Sequence, residues 1–371
     1  MSTRKINFGA GPSKIPEEVL LQLQAEQLNH AESGLSVLEM SHRCNVVVGL
    51  LDDTIALIRK LMNVPDNFEI LFMQGGATAQ FAAIPLNLKG SHESADYVIT
   101  GRWSAKAAEE AEKYIEVNKV FNPTEPYTTV EPEENWKINE NAAYLYYCAN
   151  ETVHGIEFIP KLHQKENVIL VADISSSFLA RPFDFTNHGL VYGGTQKNLG
   201  AAGLTIVIVR KDLIGKQLPY TPSVFSYKEM VDSNSLFNTL PTAAVRTTNL
   251  VLKWIDEKGG IEEIYRRNLA KSELIYSIID KSNGFYRCAV DPKHRSITNI
   301  CFRIADGNVQ LEEQFLKGAK DRDMINLKGH RCVGDIRASL YNAVSMEETR
   351  LLADWMIEFQ ENSTSNACVI L

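Results

Sequence analysis

Val191-Tyr-Gly-Gly-Thr-Gln-Lys-Asn-Leu-Gly-Ala-Ala-Gly203 is the stretch from which the fold is read. Its single lysine, Lys197, stands between Gln196 and Asn198 in a turn bracketed by glycines. The run before it, Gly189-Leu190-Val191-Tyr192, and the run after it, Leu204 to Val209, are short, apolar and β-branched, which suits buried strands. A lysine between two such strands lies at strand ends, in the crevice where open α/β sheets hold ligands. Taken alone, such a lysine is a solvated loop residue. With partners elsewhere in the chain, it is an amine held to form a Schiff base with a carbonyl cofactor.

The search for partners runs upstream. Val168-Ile-Leu-Val-Ala-Asp173 puts a carboxylate directly after five apolar residues, which is costly unless the charge is paired. Asp173 therefore reads either as the partner of a protonated ring nitrogen or as a cap on the segment that follows. Ala142 to Thr152 is a strand ending in small polar residues, with a hydroxyl at Thr152. Ala95 to Trp103 reads as a strand ending in an aromatic, followed by a helix from Ser104 to Tyr114. Trp103 is either a packing residue or a face for a heteroaromatic ring. Further upstream, the strand Glu69 to Met73 feeds Gln74-Gly75-Gly76-Ala77-Thr78 and an alanine-rich helix start. Free backbone N–H groups and the positive end of a helix dipole suit a phosphate there. The G-x-x-x-x-G-K-[ST] of a nucleotide P-loop is missing, so a smaller phosphate is implied.

The remaining chain reads as alternating strands and helices. Helices are expected over Glu17 to Asn29, Leu50 to Met62, Ala243 to Asp256, Ile261 to Asp280, Gln310 to Asp321 and Met346 to Gln360, with strands at Ile115 to Phe121 and Thr298 to Ile304. Val37 to Arg43 is an apolar run ending in His42-Arg43. It reads as a capped strand end or as half of an anion clamp, arginine supplying a planar fork. Residues 122–140, rich in Pro and Glu, look like a surface excursion, and Ser235 to Thr242, including Asn238 and Thr239, is a polar turn. Gly9-Ala10-Gly11 is a poor dinucleotide fingerprint, because no strand precedes it and no third glycine follows at the right spacing.

Composition narrows the class. With 371 residues, 44% hydrophobic and 23% charged, the chain suits two globular domains, and Lys258-Gly-Gly260 marks a boundary between residues 17–260 and a smaller unit of 261–371 joined by 1–16. A net charge of -8 argues against a broad nucleic-acid surface. Six scattered cysteines without CxxC or metal-ligand spacing read as reduced thiols of a cytoplasmic protein with no metal centre. No signal peptide and no apolar run of membrane-spanning length is evident, so no membrane is expected.

Assembled, a lysine for a Schiff base, an acid, a hydroxyl, an aromatic and a phosphate turn describe a pyridoxal phosphate site. The strings N-F-G-A-G-P, S-V-L-E-M-S-H-R, G-R-W-S-A-K-A, Y-C-A-N-E-T-V-H-G-I-E-F, Q-K-N-L-G-A-A-G, L-K-G-H-R and I-R-A-S-L-Y-N-A closely resemble the phosphoserine aminotransferase family of class V. The resemblance spans about Ile6 to Phe359. It implies an aspartate aminotransferase-like, fold-type I α/β architecture: a large domain with a mostly parallel, mixed central sheet flanked by helices, and a smaller C-terminal α/β domain. It also implies a homodimer with shared active sites and amino-group exchange between L-glutamate and 3-phosphohydroxypyruvate in serine biosynthesis. By the same resemblance Lys197 carries the Schiff base and moves the α-proton, Asp173 holds the pyridine nitrogen, Trp103 stacks on the ring and Thr152 meets the phenolic oxygen. Gln196, Ala77 and Thr78 cradle the phosphate with Asn238 and Thr239 of the other subunit. Arg337 anchors the α-carboxylate, and His42, Arg43, His330 and Arg331 form a distal-anion site. A desulfurase-like or lyase reaction is the alternative within the fold, and a dinucleotide-binding module the alternative outside it.

Departures from the family pattern occur in the cradle and beside it. Ala77 and Ala79 stand where glycines are usual, which casts doubt on any positive φ there. Thr78 stands where bacterial members often have arginine, and Leu240 replaces a usual proline. The tail Cys368-Val-Ile-Leu371 reads either as a prenylation box with a geranylgeranyl-type leucine or as a coincidental match, and with no polybasic run before it anchoring would be marginal.

Overall fold

Strand-forming and amphipathic runs alternate along the chain, and folding turns that alternation into layers. The computed structural model describes residues 4–162, 168–330 and 336–368. An arm containing β1 (Ile6–Asn7) leads to α1 (Glu17–Ala25) and α2 (Asn45–Met62). Next come β2 (Phe68–Met73), α3 (Gly76–Leu88), β3 (Ser94–Val98), α4 (Arg102–Ala111), β4 (Glu116–Lys119) and β5 (Leu145–Cys148). A short hairpin of β6 (Asn150–Glu151) and β7 (Ile156–Glu157) precedes β8 (Leu170–Asp173), β9 (His188–Gly194) and β10 (Thr205–Arg210). Then follow α5 (Tyr227–Asp232), α6 (Thr242–Glu257) and α7 (Gly260–Lys281). The C-terminal part holds β11 (Tyr286–Arg287), β12 (Asn299–Ile304), α8 (Val309–Asp321), β13 (Met324–Ile325), β14 (Ile336–Ser339) and α9 (Met346–Cys368).

Seven strands form the central sheet in the order β2-β10-β9-β8-β5-β3-β4. Only β10 runs antiparallel to its neighbours; the other pairings are parallel. The reason such a sheet forms is visible in β10. Ile206, Val207, Ile208 and Val209 are all 0% exposed, and they alternate between two apolar layers. Ile206 and Ile208 join the layer containing Leu250 and Ile255 of α6, while Val207 and Val209 join the layer containing Phe81 and Ile84 of α3. A strand covered on both faces needs an unbroken apolar run, and each buried Ile or Val adds about 1.5–3 kcal/mol. Because β2, β3, β5, β8 and β9 point the same way, their C-terminal ends share one edge of the sheet.

A third apolar cluster gathers Ile275, Ile300, Phe302, Phe315, Leu352 and Met356 around the antiparallel strands β11-β12-β14, and Phe8 of the arm is buried in it. β1 pairs with β13 in parallel, Ile6 opposite Met324. On this packing we propose the division into 17–260 and 1–16 with 261–371.

Several expected elements differ, and in some of them a specific contact decides. Helix α1 stops at Ala25, because Glu26 leaves it to receive two hydrogen bonds from Arg246, at 2.8 and 3.0 Å. Val37 to Met40 is a turn rather than a strand: the Leu38 amide donates to Ser36 Oγ and the Glu39 amide to the Ser36 carbonyl, a local alternative to a sheet ladder. Helix α2 starts at Asn45 and runs through Gly49, anchored by fully buried Val47. The strand to Trp103 ends at Val98, and Trp103 sits in the first turn of α4. The 122–140 segment is not merely a surface excursion, since Val130 and Trp136 are buried in the core. Helix α9 continues past Gln360 to Cys368 after its apolar spacing has ended, as propagation of an existing helix allows.

Candidate active site

The turn between β9 and β10 carries Lys197 to the shared edge of the sheet. Thr195, fully buried, ties the turn shut by donating from Oγ1 to the Ala201 and Leu204 carbonyls. Asn198 Oδ1 accepts from the Asn342 amide at 2.9 Å, joining the turn to the segment after β14. From the other side the N-terminal arm closes in: the Ser13 amide donates to the Gln196 carbonyl at 2.9 Å and Ser13 Oγ to the Lys197 carbonyl at 2.6 Å. Gly11, at φ 139°, leaves room for the lysine stem, since a Cβ there would lie 3.3 Å from Lys197 Cγ.

Lys197 Nζ donates to Thr152 Oγ1 at 2.7 Å. Burial pushes the lysine's pKa down, opposed by the Asp173 carboxylate, and the net direction is downward. Thr152 offers its carbonyl to Arg337 Nη1 at 3.1 Å, so lysine, threonine and arginine form one connected group. Arg337 Nε is buried without a partner.

Asp173 ends β8 and is 4% exposed. Its Oδ1 accepts from the Ser175 amide at 2.9 Å, and its Oδ2 from the Tyr192 hydroxyl at 3.1 Å. Tyr192 is the register partner of Asp173 on β9 and bonds in turn to Tyr146 at 2.8 Å. Burial pushes both phenols far up, so they remain neutral donors. The capping and ring-partner readings of Asp173 are compatible: one oxygen caps the turn after β8, the other faces a tyrosine.

Trp103 is fixed through its backbone. Glu151, fully buried, accepts from the Trp103 amide at 3.0 Å, the Ser104 amide at 2.8 Å and Ser104 Oγ at 2.6 Å. It supplies the acceptor for the first turn of α4 that Gly101 cannot, and a Cβ on Gly101 would lie 2.5 Å from its carboxyl carbon. Burial pushes the Glu151 carboxyl up, while the Ser104 hydroxyl and amide pull it down. Trp103 Nε1 is buried without a partner.

At the end of β2, Gly75 and Gly76 have φ of 91° and 63°, and α3 begins with no side chain bonded to its N-terminal amides. Ala77 and Ala79 are helical, so the doubt about positive φ at those positions falls away; the left-handed residues are the two glycines before them. Gln74 bridges to the polar turn, with Asn238 Nδ2 donating to its Oε1 at 3.2 Å and its Nε2 donating to the Thr239 carbonyl at 3.0 Å. Leu240, 3% exposed, is packed in the core, which anchors that turn without the usual proline.

Of the expected distal-anion residues, His42, Arg43 and His330 are among the described residues. His42 is buried with Nε2 unpartnered, and the exposed Arg43 donates to the Leu236 carbonyl at 3.3 Å, so both lie beside the 236–239 turn. His330 is near His154, whose pKa it helps to lower, and Arg331 lies outside the described residues, as does most of the Cys368-to-Leu371 tail. Reading the sequence missed Glu151, Tyr192 and Ser13. Tyr192 was within reach, as the aromatic beside Asp173 on the adjacent strand; Glu151, next to Thr152, carried no signal of the helix start it holds.

The aminotransferase class-V family profile matches residues 6–352. A probable phosphoserine aminotransferase of Caenorhabditis elegans is 68% identical over 98% of this chain and 99% of its own length. The phosphoserine aminotransferase of Drosophila melanogaster is 52% identical, over 96% of this chain and 99% of its own. Among solved structures, the phosphoserine aminotransferase of Bacillus circulans subsp. alkalophilus superposes with a TM-score of 0.93 at 41% identity, covering 97% of this chain and 99% of that one. The pyridoxal phosphate-bound enzyme of Trichomonas vaginalis gives a TM-score of 0.91 at 39% identity, covering 95% and 99%.

Proposed function

Taking as premise that this chain belongs to the class-V aminotransferase family, we propose that it is a pyridoxal phosphate-dependent transaminase exchanging an amino group between L-glutamate and 3-phosphohydroxypyruvate. The products are 2-oxoglutarate and O-phospho-L-serine, a step of serine biosynthesis. The observation that carries this reading is the connected group Lys197–Thr152–Arg337 at the sheet edge where Asp173 and Trp103 also arrive.

The residues present fit the cofactor. A helix start with uncapped amides after two left-handed glycines suits its phosphate, and Gln196 stands beside the lysine. A buried carboxylate suits its ring nitrogen, the indole of Trp103 with an orphaned Nε1 suits its face, and the Thr152 hydroxyl its phenolic oxygen. The chemistry that pyridoxal phosphate supplies when bound is an electron sink and a carrier for the amino group.

The chain's own residues do the rest. Lys197 Nζ, its pKa lowered by burial, takes the proton from the substrate's α-carbon and returns it on the other side of the exchange. Thr152 holds that amine in place, and Arg337 orients the substrate by its α-carboxylate through a planar fork. Tyr146 and Tyr192 keep a donor on Asp173 without adding charge beside it.

A homodimer completes this reading. Leu28, Leu35, Leu38 and Phe237 are 84, 49, 61 and 39% exposed, on segments that flank His42, Arg43, Asn238 and Thr239. Exposed apolar side chains at this density mark a surface that associates. In the dimer, the 42–43 and 238–239 segments of one protomer complete the distal-anion site and phosphate cradle of the other, joining His330 and Arg331. The scattered free thiols Cys44, Cys148, Cys288 and Cys301 favour a cytoplasmic protein, and no helix among the described residues is long and apolar enough to cross a membrane.

The test is a coupled assay with glutamate as donor and 3-phosphohydroxypyruvate set against other oxo acids. Preference for the phosphorylated acid is expected, with turnover lost in Lys197→Ala. Release of sulfide or another fragment without amino transfer would overturn the reading.

A further inference from the structure

Glu151 is 0% exposed at the end of β6, one residue before Thr152, and among the described residues no basic side chain pairs with it. Its side chain meets only donors of one helix turn: the Trp103 amide on Oε2, and the Ser104 amide and hydroxyl on Oε1. A carboxylate buried without a counter-ion is costly. Burial, with Asp173 adding to it, pushes the carboxyl's pKa up against the pull of those donors.

Capping α4 does not by itself require such a group. A Ser, Thr, Asp or Asn at the N-cap satisfies the same amides from within the helix. The N-cap here is Gly101, and a Cβ on it would lie 2.5 Å from the Glu151 carboxyl carbon and 2.7 Å from Oε2. Gly101 is at φ 175°, extended backbone that any residue adopts, so it is the space taken by Glu151 that demands glycine. The cap has been moved from the helix to another element.

A cap on β6 does what an N-cap residue cannot: it ties the helix to the strand. Both ends of the tie are fixed. On the helix side, Ser104 Oγ donates to Glu151 and accepts from the Thr100 and Gly101 amides at 2.9 and 3.1 Å, so the carboxylate gathers the whole entry to α4. On the strand side, the Glu151 carbonyl accepts from the Gly155 amide at 2.8 Å. The neighbouring Asn150 carbonyl accepts from Ser176 Oγ at 2.6 Å, in the turn after Asp173. Trp103 is held directly at the helix end, and Thr152, whose Oγ1 lies 2.7 Å from Lys197 Nζ, is the next residue at the strand end.

Resting on the function proposed above, we infer that Glu151 is a positioning residue for the cofactor: one buried carboxylate sets the spacing between Trp103, offered to the face of the ring, and Thr152, offered to its phenolic oxygen. The role calls for an acceptor on both oxygens. Glutamine keeps the volume but replaces one acceptor by an NH2, which then faces an amide N–H, donor against donor.

The test titrates pyridoxal phosphate into three apoenzymes: wild type, Glu151→Gln, and the double variant Glu151→Ala with Gly101→Asp. Binding is read by protein fluorescence, and the circular dichroism of the bound cofactor's visible band reports the groups around its ring. The double variant restores a cap from within α4 and leaves β6 untied. Glu151→Gln is expected to raise the dissociation constant roughly ten-fold or more, the loss of one charge-assisted hydrogen bond, and to diminish the visible band. The double variant should melt close to wild type and still bind the cofactor roughly ten-fold more weakly. A glutamine variant with wild-type affinity and visible band overturns the inference, as does a double variant that regains affinity along with stability, because Glu151 would then be a helix cap and nothing more. Should the double variant stay unstable, the glutamine variant decides by the same two readouts. A wild-type chain that bound no pyridoxal phosphate would sink the proposed function and this inference with it, whereas unaltered variants of a chain that binds it sink the inference alone.

Discussion

Gly75 shows how one residue's geometry sets what its neighbours are free to be. At φ 91°, with a hypothetical Cβ only 2.4 Å from Ala79 Cβ, it meets both conditions that demand glycine. Gly75→Ala is expected to cost about 1–3 kcal/mol and to weaken cofactor binding to the apoenzyme, read by urea unfolding and by fluorescence titration. Ala77→Gly and Ala79→Gly, which restore the family's usual residues, should leave cofactor affinity unchanged and lose about 0.5–1 kcal/mol each to added backbone freedom in a helix. Tighter cofactor binding in either would contradict the backbone described here. The same distinction explains what could be read in advance. Asp173 announced itself because a carboxylate straight after an apolar run is costly, and Lys197 and Thr152 because each is a polar group in the turn or strand end that follows an apolar strand. Glu151 did not, because its reason is the amide groups of Trp103 and Ser104, which are 48 and 47 residues away.

Between elements, Lys271 joins the long helix α7 to the segment following β14. It is 2% exposed, and its Nζ donates to the carbonyls of Leu340, Tyr341 and Val344 at 3.0, 2.9 and 2.9 Å. Asn342, inside that segment, reaches Asn198 beside Lys197. Burial, with Lys14 and Arg267 adding to it against Glu348, pushes the Lys271 pKa down to about 7, from an ordinary 10.5. Between those values the unfolded chain holds a proton that the folded chain has released, so that the neutral amine, with two N–H, donates to two of the three carbonyls at a time. This group's contribution to stability therefore rises with pH through that window and is lost as pH falls through about 7. Lys271→Met should lower stability by on the order of 3 kcal/mol, leaving carbonyls unsatisfied, and should flatten the pH dependence across the window. Denaturant titrations of both proteins at several pH values would check it, and an unchanged slope would refute it. Element type was legible wherever the apolar period was clean, as in β10 and α7. It was lost where side chains captured backbone groups: Ser36 turns what reads as a strand, and Arg246 draws Glu26 out of what reads as helix. No local period encodes either event.

At the level of the whole molecule, the proposed dimer with shared active sites makes a prediction that no single chain can. Lys197→Ala and Arg43→Ala are each expected to be nearly inactive. Mixed, unfolded and refolded together, they should recover roughly a quarter of wild-type activity, since half the dimers are mixed and each mixed dimer has one site with both residues intact. Recovery absent while mixed dimers form would show that Arg43 serves its own chain. The architecture of a sheet flanked on both faces by helices was legible from the alternation of strands and helices. The exposed apolar residues of the proposed dimer surface were not, because an exposed leucine in a sequence looks like any other. The pairing of β1 with β13, together with the arm's contacts to the lysine turn, bears on how the molecule comes into being. On a ribosome, Lys197 and its strands emerge well before Met324. The arm around Ile6 must therefore wait for β13, more than 300 residues later in the chain, before it can pair and settle over the lysine turn. A partly synthesised chain thus holds Lys197 without its cover, and the pocket is finished only when the N-terminal arm and β13 meet.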